Sequence, residues 1–519
     1  MTQFDPDELA KWSGGRWTRR PGAGLCGFAI DTRQLRRGQV FVALKTEKRD
    51  GHDFLAAAAE AGAAAALVSR ADSSLALPQL VVGEGEQGGE GGDTLRAFQK
   101  IAQAQRAKFQ AAGGRVIGVT GSVGKTSTKN LLAALLGAAG GTAGGAARVL
   151  ATEGNLNNHL GVPLTLTRID PAQHRFAVVE AGISEPGEMA VLAEMIGPDV
   201  AIITAVAAAH LEELGDVEGV AREKAILAAQ VRENGLAIFP AELRKYAAFA
   251  ALRVPCLCAE QSPGMVTRLG REGNFTTVQH ALGNGIEGKM ELLLADQSDP
   301  TNGPVPFPMP KTSKGMANNA ALAIRAALHL GVDSEAIRLG PLRNWTPASL
   351  RGEWRREPGR EIYLDCYNAN PASMADALEA FCAQAPTELP RLFVLGGMEE
   401  LGAEAAMHHR ALGRSLSREL RPQDRVFAIG EEAEALRQGV VDTRRVAPDQ
   451  IEVARDFEPV RGAVARWRGA IFLKASRRYR LETLLSAEPS PAASAHFTAV
   501  ATGGVARPVQ PPKTTLKDA

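Results

Sequence analysis

One glycine-punctuated turn constrains the fold of this chain more than any other segment. Residues 118–126, Gly-Val-Thr-Gly-Ser-Val-Gly-Lys-Thr, follow the apolar pair Val116-Ile117 and precede leucines at helical spacing (Leu131, Leu132, Leu135 and Leu136). A strand, a glycine-rich turn and a helix in this order predict an α/β fold in which the turn is a phosphate-binding loop. An ordinary strand-to-helix loop is the alternative, and Val119 stands where the usual pattern has its first glycine.

The chemistry of such a loop rests on its backbone and on its last residues. Glycines allow N–H groups to close around phosphate oxygens, and the helix N-terminus adds partial positive charge. Lys125 can reach the terminal phosphates, and the Thr126 hydroxyl can ligate Mg²⁺. We therefore expect ATP or GTP to bind the residues Gly121, Ser122, Val123, Gly124, Lys125, Thr126 and Ser127.

Length and composition limit the remaining possibilities. A chain of 519 residues is expected to form about three domains. Lys and Arg number 59 against 58 Asp and Glu, so a dedicated nucleic-acid binder is excluded and no nucleic-acid partner is expected. Five cysteines without paired metal-ligand spacing fit a reducing cytoplasm. Neither a targeting signal nor a long apolar segment is present, so a cytoplasmic protein without a membrane span is expected.

Apolar runs predict two α/β units in the first two thirds of the chain. Strands at 39–44 and 65–68 with an alanine-rich helix at 54–61 form the first unit, and a Gly/Glu/Gln-rich stretch at 83–93 is expected to be a surface loop. The second unit has fully apolar runs at 176–180 and 200–206, typical of a parallel sheet covered by helices. Its other predicted features are a loop at 137–147, an antiparallel appendage at 263–311 and a closing helix at 318–330.

A third unit is expected to begin near residue 342. Strands at 361–365, 391–395, 425–429 and 470–474 alternate with helical stretches, which predicts a second doubly wound sheet. Beyond about residue 487 no periodic apolar face remains, so a disordered tail is expected.

Polar residues follow the central strands where open sheets place their ligand groups. Glu180 ends the run at 176–180 and is a natural Mg²⁺ ligand, with a helix-capping carboxylate as the alternative. His210 alone does not indicate a function, because most histidines are structural. For Lys224 taken alone, a surface salt bridge is the better interpretation. The amides of Asn155, Asn157 and Asn158 could orient a polar substrate or hold turns.

The third unit offers a comparable set of residues. Asp365 and Asn368 occupy a strand-to-helix loop that ends in Asn370-Pro371, for which a plain Asn-Pro turn is the competing interpretation. Lys474 likewise ends a strand and could bind a phosphate or carboxylate. Among the arginines at 351–360 only Arg351 is a candidate, because a run of charges is usually solvated.

Taken together, these segments resemble the Mur ligase family over nearly the whole chain before the tail. The matching segments are 31–33, 38–44, 49–54, 124–126, 154–163, Glu180, 210–212, Lys224, 367–371, 395–398, Lys474 and Glu482. The asparagine-rich segment and the Tyr-Asn-Ala-Asn-Pro run at 367–371 are those of the branch that adds D-Ala-D-Ala in the last step. The Asp-Asn-Pro-Arg motif of the diaminopimelate-adding branch does not occur in the sequence.

The resemblance implies an architecture and a reaction. Three domains are expected: a small α/β UDP-substrate domain at 1–112, a central P-loop ATPase domain with a parallel sheet at 113–341 and a C-terminal Rossmann-like domain at 342–487, before a tail at 488–519. The implied reaction is an ATP-dependent, ADP-forming ligation in which D-Ala-D-Ala joins the C-terminal carboxylate of UDP-N-acetylmuramoyl-tripeptide through an acyl phosphate. A Mur-type ligase with another acceptor, or a non-catalytic nucleotide-binding homologue, is the alternative, and a monomer is expected.

The resemblance also implies roles for residues. Lys125, His210 and Lys224 are expected to be catalytic, and Lys224 matches a lysine that is carbamylated in many relatives, a change that needs a neutral amine and yields an anion able to ligate Mg²⁺. The implied metal ligands are Thr126, Glu180, His210 and Lys224. The implied further ATP contacts are Asn319, Arg351, Asp365, Asn368 and Lys474. The implied substrate contacts are Asp31, Thr32, Arg33, Asp50, Gly51, His52, Asn155, Asn157 and Asn158.

Several positions depart from the family pattern. Gly315-Met316 replaces a His-Asn pair before Asn319, and Ala475 replaces glycine in a Lys-Gly-Ser motif. Leu364 and Gly397 each stand where aspartate is usual, and Ala225 stands where glycine is usual. The departures are therefore at Ala225, Gly315, Met316, Leu364, Gly397 and Ala475. These changes concern adenine packing and the ATP contacts of the third domain, and they leave the phosphate and metal groups intact.

Overall fold

A computed structural model describes residues 2–22, 24–83, 93–138, 148–262, 269–284, 289–295, 303–455 and 457–485. The chain divides into two compact units, Met1–Thr346 and Pro347–Ala519. The described residues form three β-sheets, two of them in the first unit, and the predicted α/β fold class is confirmed. Most of the predicted loops at 83–93 and 137–147, and the whole predicted tail, lie outside the described residues. The bounds of the three domains stay a prediction.

The first sheet follows the pattern expected for residues 28–82. Its strands run in the order β1-β5-β4-β3-β2, with β1 antiparallel to β5 and the other neighbours parallel. The strands are β1 Arg16–Trp17, β2 Phe28–Ala29, β3 Val40–Val42, β4 Ala65–Val68 and β5 Gln79–Val81, and the helices are α1 Pro6–Ser13, α2 Leu55–Glu60 and α3 Asp93–Ala111. The predicted helix at 54–61 is preceded by a 3-10 turn at Gly51–Phe54.

The central sheet is parallel at its core and antiparallel at one edge. Its order is β15-β14-β13-β11-β10-β9-β6-β8-β7, with β12 also paired to β13. The strands are β6 Arg115–Thr120, β7 Val149–Ala151, β8 Phe176–Glu180, β9 Val200–Ile203, β10 Leu236–Pro240, β11 Cys256–Gln261, β12 Leu269–Glu272, β13 Phe275–Asn284, β14 Lys289–Leu294 and β15 Val305–Pro310. Strand β13 pairs antiparallel with both β12 and β14, and β14 pairs antiparallel with β15, which confirms the predicted antiparallel appendage where it is described.

Helices cover both faces of the central sheet. They are α4 Lys125–Ala138, α5 Gly161–Leu166, α6 Glu188–Ile196, α7 Leu211–Leu214, α8 Val217–Ala229, α9 Ala247–Ala250, α10 Lys314–His329 and α11 Ser334–Leu339. The leucine face predicted for α4 is buried against α10 on one side of the sheet, while α3, α6 and α8 pack on the other. Helix α4 continues through Gly137 and Ala138, so the prediction of a loop is wrong for these two residues, and the rest of the predicted loop lies outside the described residues. Helix α10 begins before the predicted residue 318, because Ser313 caps it.

The third sheet, in the second unit, is doubly wound as predicted. Its order is β16-β17-β21-β18-β19-β20, all parallel except β16, which pairs antiparallel with β17. The elements are β16 Glu353–Glu357, β17 Arg360–Asp365, β18 Arg391–Gly396, β19 Arg425–Ile429, β20 Ile451–Ala454, β21 Gly469–Lys474, α12 Pro371–Gln384, α13 Ala405–Glu419, α14 Ala433–Val441 and α15 Phe457–Arg466. Separate apolar clusters lie on its two faces. Over the described residues, no helix is both long and apolar enough to cross a membrane.

Candidate active site

The glycine-rich loop connects β6 to α4 and is held by the segment that follows β9. The Ser122 backbone N–H donates to the Ala205 carbonyl at 2.9 Å, and the Ser122 hydroxyl donates to the Ala207 carbonyl at 3.0 Å. The Thr204 hydroxyl lies against the carbonyl of Val123 and forms a hydrogen bond with it. These contacts hold the backbone of the loop in a fixed conformation, as the predicted phosphate cradle requires.

Gly124 and Asn319 are in direct contact at this loop. Gly124 has φ +85°, a left-handed conformation that glycine adopts without strain, and a Cβ atom at this position would overlap the side chain of Asn319. Asn319 lies in the first half of α10. The Lys125 ammonium donates to the Gly121 carbonyl at 2.7 Å. The structure thus brings the predicted adenine contact to the predicted phosphate contacts.

Glu180 ends β8 beside the start of α4, as its position in the sequence predicts. The Thr126 hydroxyl donates to Glu180 Oε1 at 3.3 Å, and Asn157 Nδ2 donates to the same oxygen at 2.9 Å. Among the described residues no hydrogen-bond donor reaches the buried Oε2 of Glu180. A buried carboxylate with an unsatisfied oxygen beside a threonine hydroxyl suits a hard cation such as Mg²⁺.

The described residues contain only a few of the groups that could hold a metal ion here. Within the described residues, no group of three or more His, Cys, Asp or Glu side chains converges on a point. Mg²⁺ usually keeps several waters and binds through one or two carboxylates plus substrate phosphates. Glu180 and Thr126 fit that pattern.

Lys224 lies in α8 and is buried, with 2% of its surface exposed. The interpretation of this lysine as a surface salt bridge is therefore wrong. Removal from water, and then the nearby Lys125 ammonium, hold the pKa of Lys224 well below its usual value. A lowered pKa increases the neutral amine fraction at pH 7, which is the form that a carbamate requires. Leu227 and Val231 of the same segment are also buried and belong to the apolar core.

His210 immediately precedes α7 and is half-buried. Its backbone is left-handed, with φ +54°. Histidine adopts this region more often than most residues, but the conformation still costs on the order of 1 kcal/mol and persists only where the surrounding structure enforces it. The position of the imidazole is therefore set by the turn between β9 and α7.

The three candidate asparagines have different roles in the structure. Asn157 reaches Glu180, as described above. Asn158 Oδ1 accepts from the N–H groups of Leu160 and Gly161 at 3.1 and 2.9 Å, so this side chain holds the turn into α5. The side chain of Asn155 is exposed. The turn-holding interpretation is therefore confirmed for Asn158, whereas orientation of a substrate by these amides stays a prediction.

In the first sheet, Asp50, Gly51 and His52 form an internal network. His52 Nε2 accepts from the Ser69 N–H at 3.0 Å, so the ring proton lies on Nδ1, which donates to Asp50 Oδ1 at 2.7 Å. Burial would raise the pKa of Asp50, but hydrogen bonds from His52 and Arg70 outweigh it and lower this pKa. Gly51 is required because a Cβ atom would lie 2.6 Å from the Leu44 nitrogen.

Asp31 and Arg33 flank Thr32 in a turn after β2. The Arg33 Nη2 donates to Asp31 Oδ2 at 2.6 Å, and this hydrogen bond lowers the pKa of Asp31 to about 2. The guanidinium is largely exposed. A ligand that approaches the first sheet here meets a fixed ion pair.

In the second unit, Asp365 and Lys474 end neighbouring parallel strands. Lys474 Nζ donates to Asp365 Oδ2 at 2.6 Å and to the Asn368 carbonyl at 3.2 Å. The lysine side chain is only 1% exposed. The guanidinium of Arg351 lies 3.8 Å from the ring centroid of Tyr367. The predicted third-domain residues are thus adjacent within this unit.

The loop after β17 ends as the plainer interpretation predicted. Asn370 Oδ1 accepts from the Ser373 N–H at 2.9 Å and caps α12. Asn370 is therefore a helix cap with Pro371 at the first helical position.

Most departures from the family pattern are accommodated in the core. Leu364 and Ala475 are fully buried and belong to one apolar cluster. A Cβ atom at Gly397 would lie 2.5 Å from the Tyr479 hydroxyl, so tyrosine occupies the space that a side chain there would need. Gly315 and Met316 lie in the first turn of α10, and Ala225 is buried.

The sequence did not identify three residues that shape the nucleotide site. They are Lys129, whose ammonium lies 3.9 Å from Glu180 Oε2, and Thr152 and Thr204, which hold Glu180 and the loop. For Lys129 a signal existed, since it follows Lys125 by one helical turn and shares its face of α4. No sequence pattern marks the two threonines.

Profiles of three Mur ligase domains match successive parts of the chain. The catalytic domain of the Mur ligase family matches residues 26–103, the middle domain matches 119–259 and the glutamate ligase domain matches 350–470. The UDP-N-acetylmuramoyl-tripeptide–D-alanyl-D-alanine ligase of Escherichia coli K12 is 34% identical over 416 residues, which cover 79% of this chain and 83% of that protein. The chain belongs to the Mur ligase family. Mur ligases are ATP-dependent, ADP-forming enzymes, so the predicted reaction class is confirmed.

Other Mur ligases match over a similar extent. The Bacillus subtilis protein of the same name is 31% identical over 472 residues, which cover 88% of this chain and 92% of that protein. The crystal structure of MurF from Acinetobacter baumannii superimposes with a TM-score of 0.76 at 27% identity and covers 93% of this chain and 98% of that chain. MurF from Thermotoga maritima in complex with ADP gives a TM-score of 0.68 at 26% identity, covering 91% and 98%.

Proposed function

We propose that this Mur ligase joins D-Ala-D-Ala to the C-terminal carboxylate of UDP-N-acetylmuramoyl-tripeptide, with ATP converted to ADP and phosphate. The relatives at 34% and 31% identity are named for this reaction. The observation that carries the proposal is the pre-formed loop with Lys125, its contact to Asn319, and the Thr126–Glu180–Asn157 cluster beside it. A cytoplasmic monomer forms part of this proposal.

The first step is transfer of the γ-phosphoryl group to the tripeptide carboxylate. Two unit charges at about 4 Å repel by about 4 kcal/mol at an effective dielectric near 20. Lys125 and the N–H groups of the loop offset this repulsion at the phosphates. Mg²⁺, when bound, neutralises the developing charge and orients the phosphate oxygens. Thr126 and Glu180 would hold it.

Lys224 and His210 complete the proposed metal set. Lys224 is buried and its pKa is lowered, so a carbamate on this residue is chemically accessible. A carbamate replaces the cation by an anion and would remove the repulsion that the Lys125 ammonium now exerts on Lys224. His210 would contribute a neutral imidazole nitrogen from its enforced left-handed turn.

The acyl phosphate is then attacked by the neutral amine of D-Ala-D-Ala, and phosphate leaves the tetrahedral intermediate. We assign Asp365, Asn368, Lys474 and Arg351 to ATP and the acyl phosphate. The buried Lys474 is held by Asp365 and by the Asn368 carbonyl, which pre-organises one positive charge at the carboxyl edge of the third sheet.

The remaining candidates are assigned to the UDP-linked substrate. Asp31, Thr32 and Arg33 present an exposed guanidinium in a fixed turn, whereas Asp50, Gly51 and His52 shape the neighbouring loop from inside. Asn157 would orient the substrate through Glu180, and Asn155 offers an exposed amide. Asn158 supports this segment by holding its turn.

Phosphate release by the full chain tests the proposal. The assay contains ATP, Mg²⁺, UDP-N-acetylmuramoyl-tripeptide and D-Ala-D-Ala, with each omitted in turn and Lys125→Ala as control. Release that needs every component and is lost in the variant supports the ligase. Release with a different amine points to another acceptor, and ADP binding without release under any condition points to a non-catalytic role.

A further inference from the structure

A second lysine of α4 lies buried beside the proposed metal ligand. The side chains of Lys129 and Glu180 are 3% and 2% exposed, and Lys129 Nζ lies 3.9 Å from Glu180 Oε2. Lysine is almost never buried to this extent unless it is paired with an opposite charge. Its carboxylate partner here is Glu180 itself.

Thr152 fixes the geometry of this pair. Its carbonyl accepts from Lys129 Nζ at 2.5 Å, and its hydroxyl oxygen accepts from the Glu180 N–H at 3.0 Å. The Thr152 N–H in turn donates to the Val178 carbonyl of β8 at 3.0 Å. The ammonium and the carboxylate are therefore held by backbone groups of the central sheet.

The two oxygens of Glu180 have different surroundings. Oε1 accepts hydrogen bonds from Thr126 and Asn157, whereas Oε2 has no hydrogen-bond donor among the described residues and faces the charge of Lys129. The ammonium thus acts on the carboxylate by charge rather than by a direct hydrogen bond, and its attraction persists over several ångströms in a buried site.

We propose that Lys129 is the resident counter-ion of Glu180 and sets the affinity of this carboxylate for a divalent cation. Without metal, the ammonium neutralises a carboxylate that could not otherwise stay charged and buried. When a divalent metal ion binds Glu180, the ammonium of Lys129 repels that ion and lowers the affinity of the site for it. Lys129 is a positioning residue in this account, which rests on the proposed role of Glu180 as a metal ligand.

The variant Lys129→Met keeps the apolar stem and removes the charge. We expect the metal-free full chain to melt at a lower temperature, because the buried Oε2 of Glu180 loses the cation that lies 3.9 Å from it. We expect Mn²⁺ to bind about tenfold more tightly in the presence of ADP, because one repulsion is removed. Electron paramagnetic resonance of free Mn²⁺ measures the second quantity. Lys129→Arg keeps the charge and should stay close to the parent chain in Mn²⁺ affinity.

Glu180→Gln and the double variant, which combines Lys129→Met with Glu180→Gln, complete a double-mutant cycle. The measured quantity is the melting temperature. If the two charges are partners, Lys129→Met lowers the melting temperature much less in the Glu180→Gln background than in the parent chain. Equal losses in the two backgrounds would overturn the pairing. Should Lys129→Met alone not fold, the double variant is expected to fold, since it leaves neither member of the pair buried without its partner, and its failure to fold would equally overturn the pairing.

The Mn²⁺ measurement separates this inference from the proposed function. One decisive result is that the parent chain with ADP binds no Mn²⁺, and another is that Glu180→Gln binds Mn²⁺ as tightly as the parent chain does. In either case the metal role of Glu180 is wrong and the proposal for Lys129 is wrong with it. If the parent binds Mn²⁺ through Glu180 and Lys129→Met leaves the affinity unchanged or weaker, only the role of Lys129 is wrong.

Discussion

The contact between Gly124 and Asn319 allows a test of the nucleotide site with a matched control. Gly124→Ala forces an alanine into a left-handed conformation and drives its Cβ into the Asn319 side chain. Gly331, at the other end of α10, has nearly the same φ, +83° against +85°, and nothing lies within 4 Å of a Cβ built there. Gly331→Ala therefore carries the same backbone strain without the clash.

The two substitutions separate strain from overlap. The left-handed conformation costs an alanine about 1–2 kcal/mol, which both variants share. The overlap requires the amide of Asn319 to move, which only Gly124→Ala demands and which adds up to about 1–3 kcal/mol. A domain of about 150–250 residues shifts by about 2–4 °C per kcal/mol and a larger unit by less, so Gly124→Ala should melt up to a few degrees below Gly331→Ala.

Nucleotide affinity should separate the variants more clearly. In the proposed site Asn319 contacts the base and the loop holds the phosphates. An alanine at 124 that displaces the Asn319 side chain and the loop should cost at least about 1.4 kcal/mol of binding free energy, which corresponds to tenfold weaker binding of ADP. Isothermal titration calorimetry of ADP with Mg²⁺ measures this change, and Gly331→Ala should bind like the parent chain. Equal melting temperatures and equal ADP affinities for the two variants would refute the assignment of this contact to the nucleotide site.

Three further predictions concern other buried groups. Asp365→Asn leaves the buried ammonium of Lys474 without its partner and should destabilise the chain to urea by about 3 kcal/mol, while adding Lys474→Met should recover part of the loss; additive losses would contradict the pairing. His409 donates from Nδ1 to the Ala405 carbonyl and accepts at Nε2, and burial lowers its pKa. Protons therefore bind the unfolded state preferentially, and melting temperature should fall as pH drops below about 6.5, a trend that His409→Gln should weaken and that an unchanged pH profile would exclude. Lys224→Arg, which cannot become neutral or carbamylated, should reduce phosphate release about a hundredfold or more, and full activity would remove Lys224 from the metal set.

Much of the fold follows from patterns that are strong in the sequence. The strands at Phe176–Glu180 and Arg425–Ile429 were predicted with their bounds, because each is an apolar run that ends where polar residues begin. Strand β16, Glu-Trp-Arg-Arg-Glu at 353–357, was missed, since its charged residues carry no apolar alternation and it exists only by pairing with β17 at the edge of the sheet. Local pattern cannot identify a strand whose stability comes from its neighbour.

The candidate site also contains residues whose positions the sequence predicts and others whose surroundings it does not. Chain order alone places Lys125, Thr126 and Glu180 together, because a phosphate loop and the end of a neighbouring parallel strand must share one edge of the sheet. The burial of Lys224 could not be predicted, since a lysine on a helix is exposed unless another segment covers that face. Its environment depends on the loop that carries Lys125, which is distant in sequence.

Gly397 shows why a departure from a family pattern does not by itself indicate a lost site. Glycine stands where aspartate is usual, and the Tyr479 hydroxyl lies where a side chain at 397 would be. That hydroxyl hydrogen-bonds to Glu399, whose carboxylate also accepts from Arg478 at 2.8 Å. The carboxylate of Glu399 thus lies two residues from Gly397 in the chain and is held by Tyr479, which follows β21. An aspartate at 397 would place its Cβ atom 2.5 Å from the Tyr479 hydroxyl, so Tyr479 would have to move, and its hydrogen bond to Glu399 would be disturbed.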